Sequence, residues 1–251
     1  MKTRAALILG ISAVVLLSAF LLWVAWPAQP LQSIDTSRPS PSVSAPRAAL
    51  LDGLYGRSPN DTFTQALVSS LSNAGFAVDV FQGKNVTIDL LRNVEGYRIL
   101  ILRVHSAVYT DDFLYVFSGE EYTESRYADE QLAGAVRKAY TFNETEAPYF
   151  ALNSVFMGKN HPGSLNGTTL IMMGCNGTAN DYVTQRFLQE GVEAYISWDG
   201  YVSLEHSDEA TLRLVKAIYL EGLNPAAAVA EVNGQVGADP AYHSRLVCAL
   251  P

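Results

Sequence analysis

The sequence predicts an α/β fold, a three-layer structure in which a mostly parallel sheet of about six strands is flanked by helices. Short apolar runs alternate with amphipathic stretches from residue 48 onward, which is typical of strands connected by crossover helices. One run, Tyr97–Val104, is apolar almost throughout, as expected for a strand buried on both faces. Hydrophobic residues make up 49% of the chain and charged residues only 17%, which excludes a disordered protein.

The first 26 residues are predicted to be a transmembrane anchor outside this fold. Lys2 and Arg4 precede the uncharged stretch Ala5–Trp26, which as a helix would span about 33 Å, close to the thickness of a bilayer. The positive-inside rule places the amino terminus in the cytoplasm and the remainder outside, in a single-pass topology. The alternative is a signal peptide cleaved near Ala28, which would give a secreted protein.

Residues 27–47 are predicted to be a linker, because five prolines interleave with five serines there.

The domain that follows, 48–251, contains 13 basic and 24 acidic residues, a net charge of -11. An excess of negative charge excludes a typical nucleic-acid-binding surface. Five Asn-X-Ser/Thr triplets favour an exported glycoprotein, and they begin at Asn60, Asn85, Asn143, Asn166 and Asn176.

The first part of the domain predicts strands at 48–51, 76–81 and 97–104 and helices at 60–74 and 86–94. Asn60 or Asp61 caps the first helix and Gly75 ends it. Residues 107–160 are less regular, with one arm of a hairpin predicted at 109–117 and a helix at 128–139. Six aromatic residues of this region are expected in the core or, as an alternative, in a groove: Tyr115, Phe117, Tyr122, Tyr127, Tyr140 and Phe142.

The last part predicts strands at 168–173, 192–198 and 245–250 and helices at 181–190, 207–221 and 225–232. In parallel sheets of this kind, ligands bind beyond the carboxyl ends of the strands. Three predicted strands end in polar residues, His105, Cys175 and Asp199. A Cys beside a His is the minimal apparatus of thiol catalysis, because the imidazole accepts the proton of the attacking thiol. The backbone N–H groups of Ser106 and Cys175 are candidates for an oxyanion hole.

The arrangement resembles the caspase-like cysteine peptidases, a family that includes caspases, legumains, gingipains and CHAT domains. A strand ending in His105, a spacer and a strand ending in Gly174-Cys175 carry the resemblance, which covers most of 48–251. It implies that His105 is the acid and base, that Cys175 is the nucleophile and that the substrate is a peptide or protein. It also implies that no carboxylate is needed as a third catalytic residue.

Two positions depart from the pattern of the family. Ser106 stands where the family has Gly after the His, and Gly174 stands where it often has Ala or Ser. The caspase signature around the Cys is absent, and the spacing of 70 residues from His to Cys exceeds the caspase value of about 50. The alternative function is therefore an inactive surface or binding domain, with the aromatic stretch 109–142 as its contact surface.

The stretch Tyr195–Tyr201 is similar to where the family places part of its first specificity pocket. Trp198 and Asp199 are therefore candidate substrate-binding residues. An acidic side chain would favour Arg or Lys before the scissile bond. The alternative is that Asp199-Gly200 is only a turn signal.

Two cysteines exclude a disulfide scaffold and an iron–sulfur cluster. A Cys175–Cys248 disulfide is the alternative to a nucleophile, but the strand order implied by the resemblance separates them by two inter-strand steps. That is about 9.6 Å, beyond the limit of roughly 7 Å between the Cα atoms of two disulfide-bonded cysteines.

His161 and His206 have no partner at metal-ligand spacing, so neither a metal nor a cofactor is expected. A glycan on Asn176 would block a nucleophile at Cys175.

Overall fold

Ten strands and six α-helices form the part of the chain that the structure, a computed structural model, describes: residues 45–143 and 145–251. The predicted anchor at 1–26 and most of the predicted linker lie outside these residues. Of the helices within them, none is long and apolar enough to cross a bilayer.

The strands in chain order are β1 (Arg47–Asp52), β2 (Ala77–Gln82), β3 (Ile99–Arg103), β4 (Ser106–Val108), β5 (Leu114–Glu121), β6 (Val136–Ala139), β7 (Tyr149–Asn153), β8 (Thr169–Met172), β9 (Ala194–Trp198) and β10 (Leu246–Ala249). The helices are α1 (Asp61–Asn73), α2 (Ile88–Asn93), α3 (Ala128–Leu132), α4 (Asp181–Gln189), α5 (Leu204–Tyr219) and α6 (Pro225–Val236). Single 3-10 turns lie at Gly83–Asn85 and Ser154–Phe156.

The larger sheet has six strands in the order β10-β9-β8-β3-β1-β2. All neighbours are parallel except β9 and β10. Helices cover both faces, with α1, α5 and α6 on one and α2 and α4 on the other. The predicted class, a three-layer α/β fold with a mostly parallel six-stranded sheet, is confirmed.

Strand β3 shows why its sequence is apolar throughout. Ile99 and Ile101 pack into the core under α1 and α5, whereas Leu100 and Leu102 pack into the core on the opposite face. The strand pairs with β1 on one side and β8 on the other. A central strand buried on both faces leaves no position in the run for a solvated side chain.

A second sheet, of four antiparallel strands in the order β4-β5-β7-β6, corrects the expectation for 107–160. The expected helix at 128–139 ends at Leu132, and β6 follows it. Gly134 has a positive φ of 71°, which a helix interior does not accommodate. Val136 is buried and pairs with Leu152 of β7, so tertiary pairing determines the second half of this segment.

Candidate functional site

A cleft of about 250 Å³ opens at the carboxyl edge of the parallel sheet. His105 enters it after β3 and Cys175 after the neighbouring strand β8. The structure thus brings together the two residues predicted to be catalytic. The other residues of its lining come from the connections around these strands: Leu54, Ser58, Val104, Phe142, Met173, Gly174, Tyr201, Val202, Ser203, Leu204, Ser207 and Tyr242.

His105 lines the cleft and keeps part of its surface in contact with solvent. Its carbonyl accepts a hydrogen bond from Phe117 N (2.9 Å), and the Phe117 ring packs edge-on to the imidazole. Protein atoms crowded around the ring lower the pKa of His105, an effect that Glu146 opposes and Arg57 reinforces. The imidazole is therefore neutral at neutral pH, the form that can accept a proton.

The thiol of Cys175 is half-buried and directed at the Val202 carbonyl, with Sγ 3.9 Å from the oxygen. Burial raises the pKa of this thiol, and the negative charge of Asp239 acts in the same direction. The resting thiol is therefore protonated. A neutral thiol and a neutral imidazole in one cleft require general-base chemistry, in which the proton transfers as sulfur attacks.

The N–H of Cys175 donates to no backbone carbonyl within residues 45–143 and 145–251. The N–H of the next residue, in contrast, donates to Gly200 O (2.8 Å). Ser106 pairs with Val116 in the β4–β5 ladder, next to the hydrogen-bonded pair of His105 and Phe117. Since hydrogen-bonded and non-hydrogen-bonded pairs alternate along an antiparallel ladder, the Ser106 N–H points away from β5. Both predicted oxyanion donors are thus free of the sheet.

The Ser106 side chain does not line the cleft. It is buried, and its hydroxyl donates to the Cys175 carbonyl at 2.7 Å. A side chain at Gly174 would overlap Ser106 Oγ and lie 2.9 Å from the Val104 carbonyl. Ser106 and Gly174, the two departures from the caspase-like pattern, are therefore in direct contact. The Ser106 side chain fills the volume that a side chain at position 174 would need.

The two predicted substrate-binding residues lie outside the lining of this cleft. Asp199 is exposed and accepts a hydrogen bond from Arg245 N (2.8 Å), while its own N–H donates to Arg245 O. Trp198 is fully buried, and its indole donates to Ser207 Oγ (3.1 Å). Asp199 thus extends the β9–β10 pairing, and Trp198 packs in the core beneath the cleft.

Asp239 is a buried carboxylate that the sequence did not single out. It accepts hydrogen bonds from Ser203 Oγ (2.5 Å), Ser203 N (2.8 Å), Tyr242 N (2.8 Å) and Ala241 N (2.9 Å). Burial alone would raise the pKa of Asp239, but these hydrogen bonds outweigh burial and lower it. In the sequence, Asp239-Pro240 indicates only a turn. The hydrogen bonds that the Asp239 carboxylate accepts depend on long-range contacts, which the sequence does not reveal.

A buried ionic network lies under His105 and was also not predicted. Arg103, at the end of β3, donates to both oxygens of Asp208 (2.8 and 3.0 Å) and to Asp52 Oδ1 (3.0 Å). The Ser58 carbonyl accepts a further bond from the guanidinium (3.0 Å). The available signal was a charged residue, Arg103, at the end of an apolar run.

A larger cleft of about 630 Å³ lies beyond the ends of β1 and β2 and contains neither His105 nor Cys175. Two of its arginines form ion pairs, Arg126 with Glu120 (2.6 Å) and Arg57 with Glu146 (2.7 Å). This cleft is the larger of the two, but the smaller cleft holds the side chains that can perform covalent chemistry.

Both cysteines are free. Cys175 follows β8 and Cys248 lies in β10, and β9 lies between these two strands. The two cysteines are therefore two inter-strand steps apart, as the strand order implied by the resemblance predicted. Among the described residues no group of three His, Cys, Asp or Glu side chains is placed to hold a metal ion. His161 is exposed near Glu95, and His206 lies in the first turn of α5.

The five Asn-X-Ser/Thr triplets differ in their surroundings. Asn85, Asn143 and Asn166 are exposed. Asn60 instead caps α1 and donates to Asp208 (2.9 Å). Asn176 is half-buried, and the Thr178 hydroxyl of its triplet is buried.

No protein-family model matches this chain, and no curated protein matches it. The functional assignment therefore depends on the geometry of the cleft.

Proposed function

We propose that residues 48–251 form a divergent caspase-like cysteine peptidase domain that hydrolyses peptide bonds with Cys175 and His105. The observation that carries this proposal is that the two residues follow adjacent parallel strands and line one cleft. The order of strands in the larger sheet supports the resemblance. Cys175 follows β8, the fourth strand of this sheet in chain order, and Cys248 lies in β10, the sixth, on the far side of β9.

In the proposed reaction, His105 accepts the thiol proton as Cys175 Sγ forms a bond to the scissile carbonyl carbon. The N–H groups of Cys175 and Ser106 bind the negative oxygen that develops. The imidazolium then donates its proton to the leaving amine as the C–N bond breaks, which leaves a thioester. Water, deprotonated by His105, hydrolyses the thioester and regenerates the thiol.

The proposal places the domain outside the membrane, held by the predicted anchor at 1–26 and the linker. Exposed Asn85, Asn143 and Asn166 are the positions where glycans would fit. Asp199 has no part in substrate binding in this proposal, because its carboxylate binds Arg245 N–H outside the lining of the cleft.

A peptidyl electrophile that alkylates active-site thiols tests the proposal. We expect the full chain to be labelled, the Cys175→Ser variant to show no labelling, and His105→Gln to react at least about 100-fold more slowly. Cys248→Ser is the matched control and should be labelled like the parent chain. Labelling of Cys175 that is independent of His105 would contradict a catalytic pair.

One observation favours a second function, a binding domain without catalysis. The Cys175 thiol donates to the Val202 carbonyl, and its pKa is raised rather than lowered. An inert thiol of this kind predicts no labelling by the peptidyl probe, with peptides still bound in the cleft.

A further inference from the structure

Three aromatic side chains form a continuous row at the mouth of the His105–Cys175 cleft, which we call the aromatic row. Phe142 is 86% exposed, Tyr201 46% and Tyr242 52%. The ring centroids of Phe142 and Tyr201 are 5.7 Å apart, and those of Tyr201 and Tyr242 are 5.8 Å apart. Large apolar surfaces that remain in water at a cleft commonly mark a contact site for a ligand.

The residues of the aromatic row come from three separate connections of the chain. Phe142 lies between β6 and β7, Tyr201 between β9 and α5, and Tyr242 between α6 and β10. All three line the same cleft as Cys175. Their convergence from distant parts of the sequence is therefore a property of the folded cleft and not of one hydrophobic segment.

The charge of the lining restricts what can enter. Apart from His105, the described residues that line the cleft include no Lys, Arg, Asp or Glu. An ionised side chain would lose part of its water there without contacting an opposite charge in the lining, which is costly. The volume of about 250 Å³ is below the range of about 300–1,000 Å³ that is usual for small-molecule pockets. The cleft thus suits one uncharged side chain.

Two members of the row, Tyr201 and Tyr242, are held in place by partly buried hydrogen bonds. Asp239 accepts from Ser203 N and Tyr242 N and so binds the loops that carry Tyr201 and Tyr242 to each other. Ser244 Oγ donates to the Tyr201 carbonyl at 2.6 Å. Rigid aromatic side chains lose little conformational entropy when a ligand binds, so a preorganised row favours affinity.

We propose that the aromatic row is a specificity subsite that takes an aromatic or large aliphatic side chain beside the scissile bond, in place of the basic side chain that the sequence suggested. This inference rests on the proposed peptidase function. Stacking against Tyr201 and Tyr242 supplies the attraction, and the absence of a counter-charge in the described lining disfavours Arg, Lys, Asp and Glu.

The test uses the full chain in detergent with fluorogenic peptides that differ at one position only, carrying Phe, Leu, Arg or Asp. We expect kcat/KM for Phe and Leu to exceed that for Arg and Asp by at least about tenfold. Tyr242→Ala and Phe142→Ala should each remove most of this preference. Tyr182→Ala, an equally exposed tyrosine on α4, is the matched control and should retain it.

A parallel measurement separates the two proposals. Fluorescence polarisation of the same peptides with Cys175→Ser reports binding without turnover, and Phe should bind at least about tenfold more tightly than Arg. Hydrolysis that requires Cys175 but favours Arg, or a preference unchanged in Tyr242→Ala, would overturn the subsite and leave the peptidase standing. Selective binding of Phe without hydrolysis by the parent chain would overturn the peptidase and leave the subsite.

Discussion

The hydroxyl of Ser106 donates a hydrogen bond of 2.7 Å to the carbonyl of Cys175. This bond joins the residue after His105 to the Cys itself, across the ends of two neighbouring strands. Ser106 is buried between them, and Gly174 leaves the space that its side chain requires. Replacing either residue alone should therefore disturb the spacing of the two predicted catalytic groups.

Gly174→Ala should destabilise the protein by about 1–3 kcal/mol, the usual cost of overpacking. The new methyl group would overlap Ser106 Oγ, and the Val104 carbonyl is only 2.9 Å away. Adding Ser106→Gly should recover part of the loss, since it removes the first obstruction. A double-mutant cycle on the free energy of unfolding measures this coupling. Strictly additive effects would show that the two positions do not share one space.

Alkylation of Cys175 by iodoacetamide should accelerate steadily as the pH rises from 7 to 9.5. The thiolate is the reactive form, and the raised pKa of Cys175 leaves little of it at neutral pH. The measurement requires the Cys248→Ser background, so that Cys175 is the only thiol. His105→Gln should leave this profile unchanged, because iodoacetamide reacts with the thiolate fraction alone, whereas His105 assists attack on a peptidyl probe that occupies the cleft. A rate that is constant above pH 6 would instead indicate a thiolate–imidazolium pair formed before substrate binds.

The sequence predicted the large sheet and the site at its edge because both depend on local patterns. The apolar run of β3 and the Gly174 that follows the apolar run of β8 are visible without tertiary information. Parallel neighbours with polar residues at their ends place His105 and Cys175 at one edge, whatever the loops do. The residue types suggested the roles of His105 and Cys175, and the resemblance added the order of the strands.

The loops around the cleft were beyond prediction because long-range contacts determine them. Asp199 follows its strand as His105 does, yet Arg245 N–H binds its carboxylate outside the lining of the cleft. The loop that carries Tyr242 is joined to Ser203 by Asp239, which is 36 residues from Ser203 and accepts hydrogen bonds from both residues. The four-stranded sheet was missed because β4, β6 and β7 are only three, four and five residues long, too short to show a clear alternation of apolar and polar residues.

Asp208→Asn should destabilise the protein far more than Asp52→Asn, although both carboxylates bind Arg103. Asp208 accepts two bonds from the guanidinium and one from Asn60, whereas only Oδ1 of Asp52 accepts, and Oδ2 has no partner among the described residues. Burial also raises the pKa of Asp52, so its charge contributes less.

We expect a loss of about 3–5 kcal/mol for Asp208→Asn, as for other broken buried pairs, and about 1 kcal/mol for Asp52→Asn. Urea unfolding at pH 7 gives both values. Glu209→Gln, which removes an exposed pair with Arg213, is the matched control and should cost less than about 1 kcal/mol. Equal losses for the two aspartates would show that the network does not distinguish them.

Asp239→Asn should destabilise the loops of the aromatic row by about 1.5–3 kcal/mol at pH 7, the usual value of hydrogen bonds to a charged group. An amide cannot accept with both ends, so one set of donors, from Ser203 or from Ala241 and Tyr242, loses its partner. The folded pKa of Asp239 lies below its ordinary value, so the carboxylate stabilises the fold above that value and stops doing so as the pH falls through the folded pKa. The difference in unfolding free energy between parent and variant should therefore stay constant from pH 7 to 5 and narrow at pH 3. Urea unfolding at the three pH values measures it, and a difference that is undiminished at pH 3 would mean that the charge of Asp239 does not hold the row together.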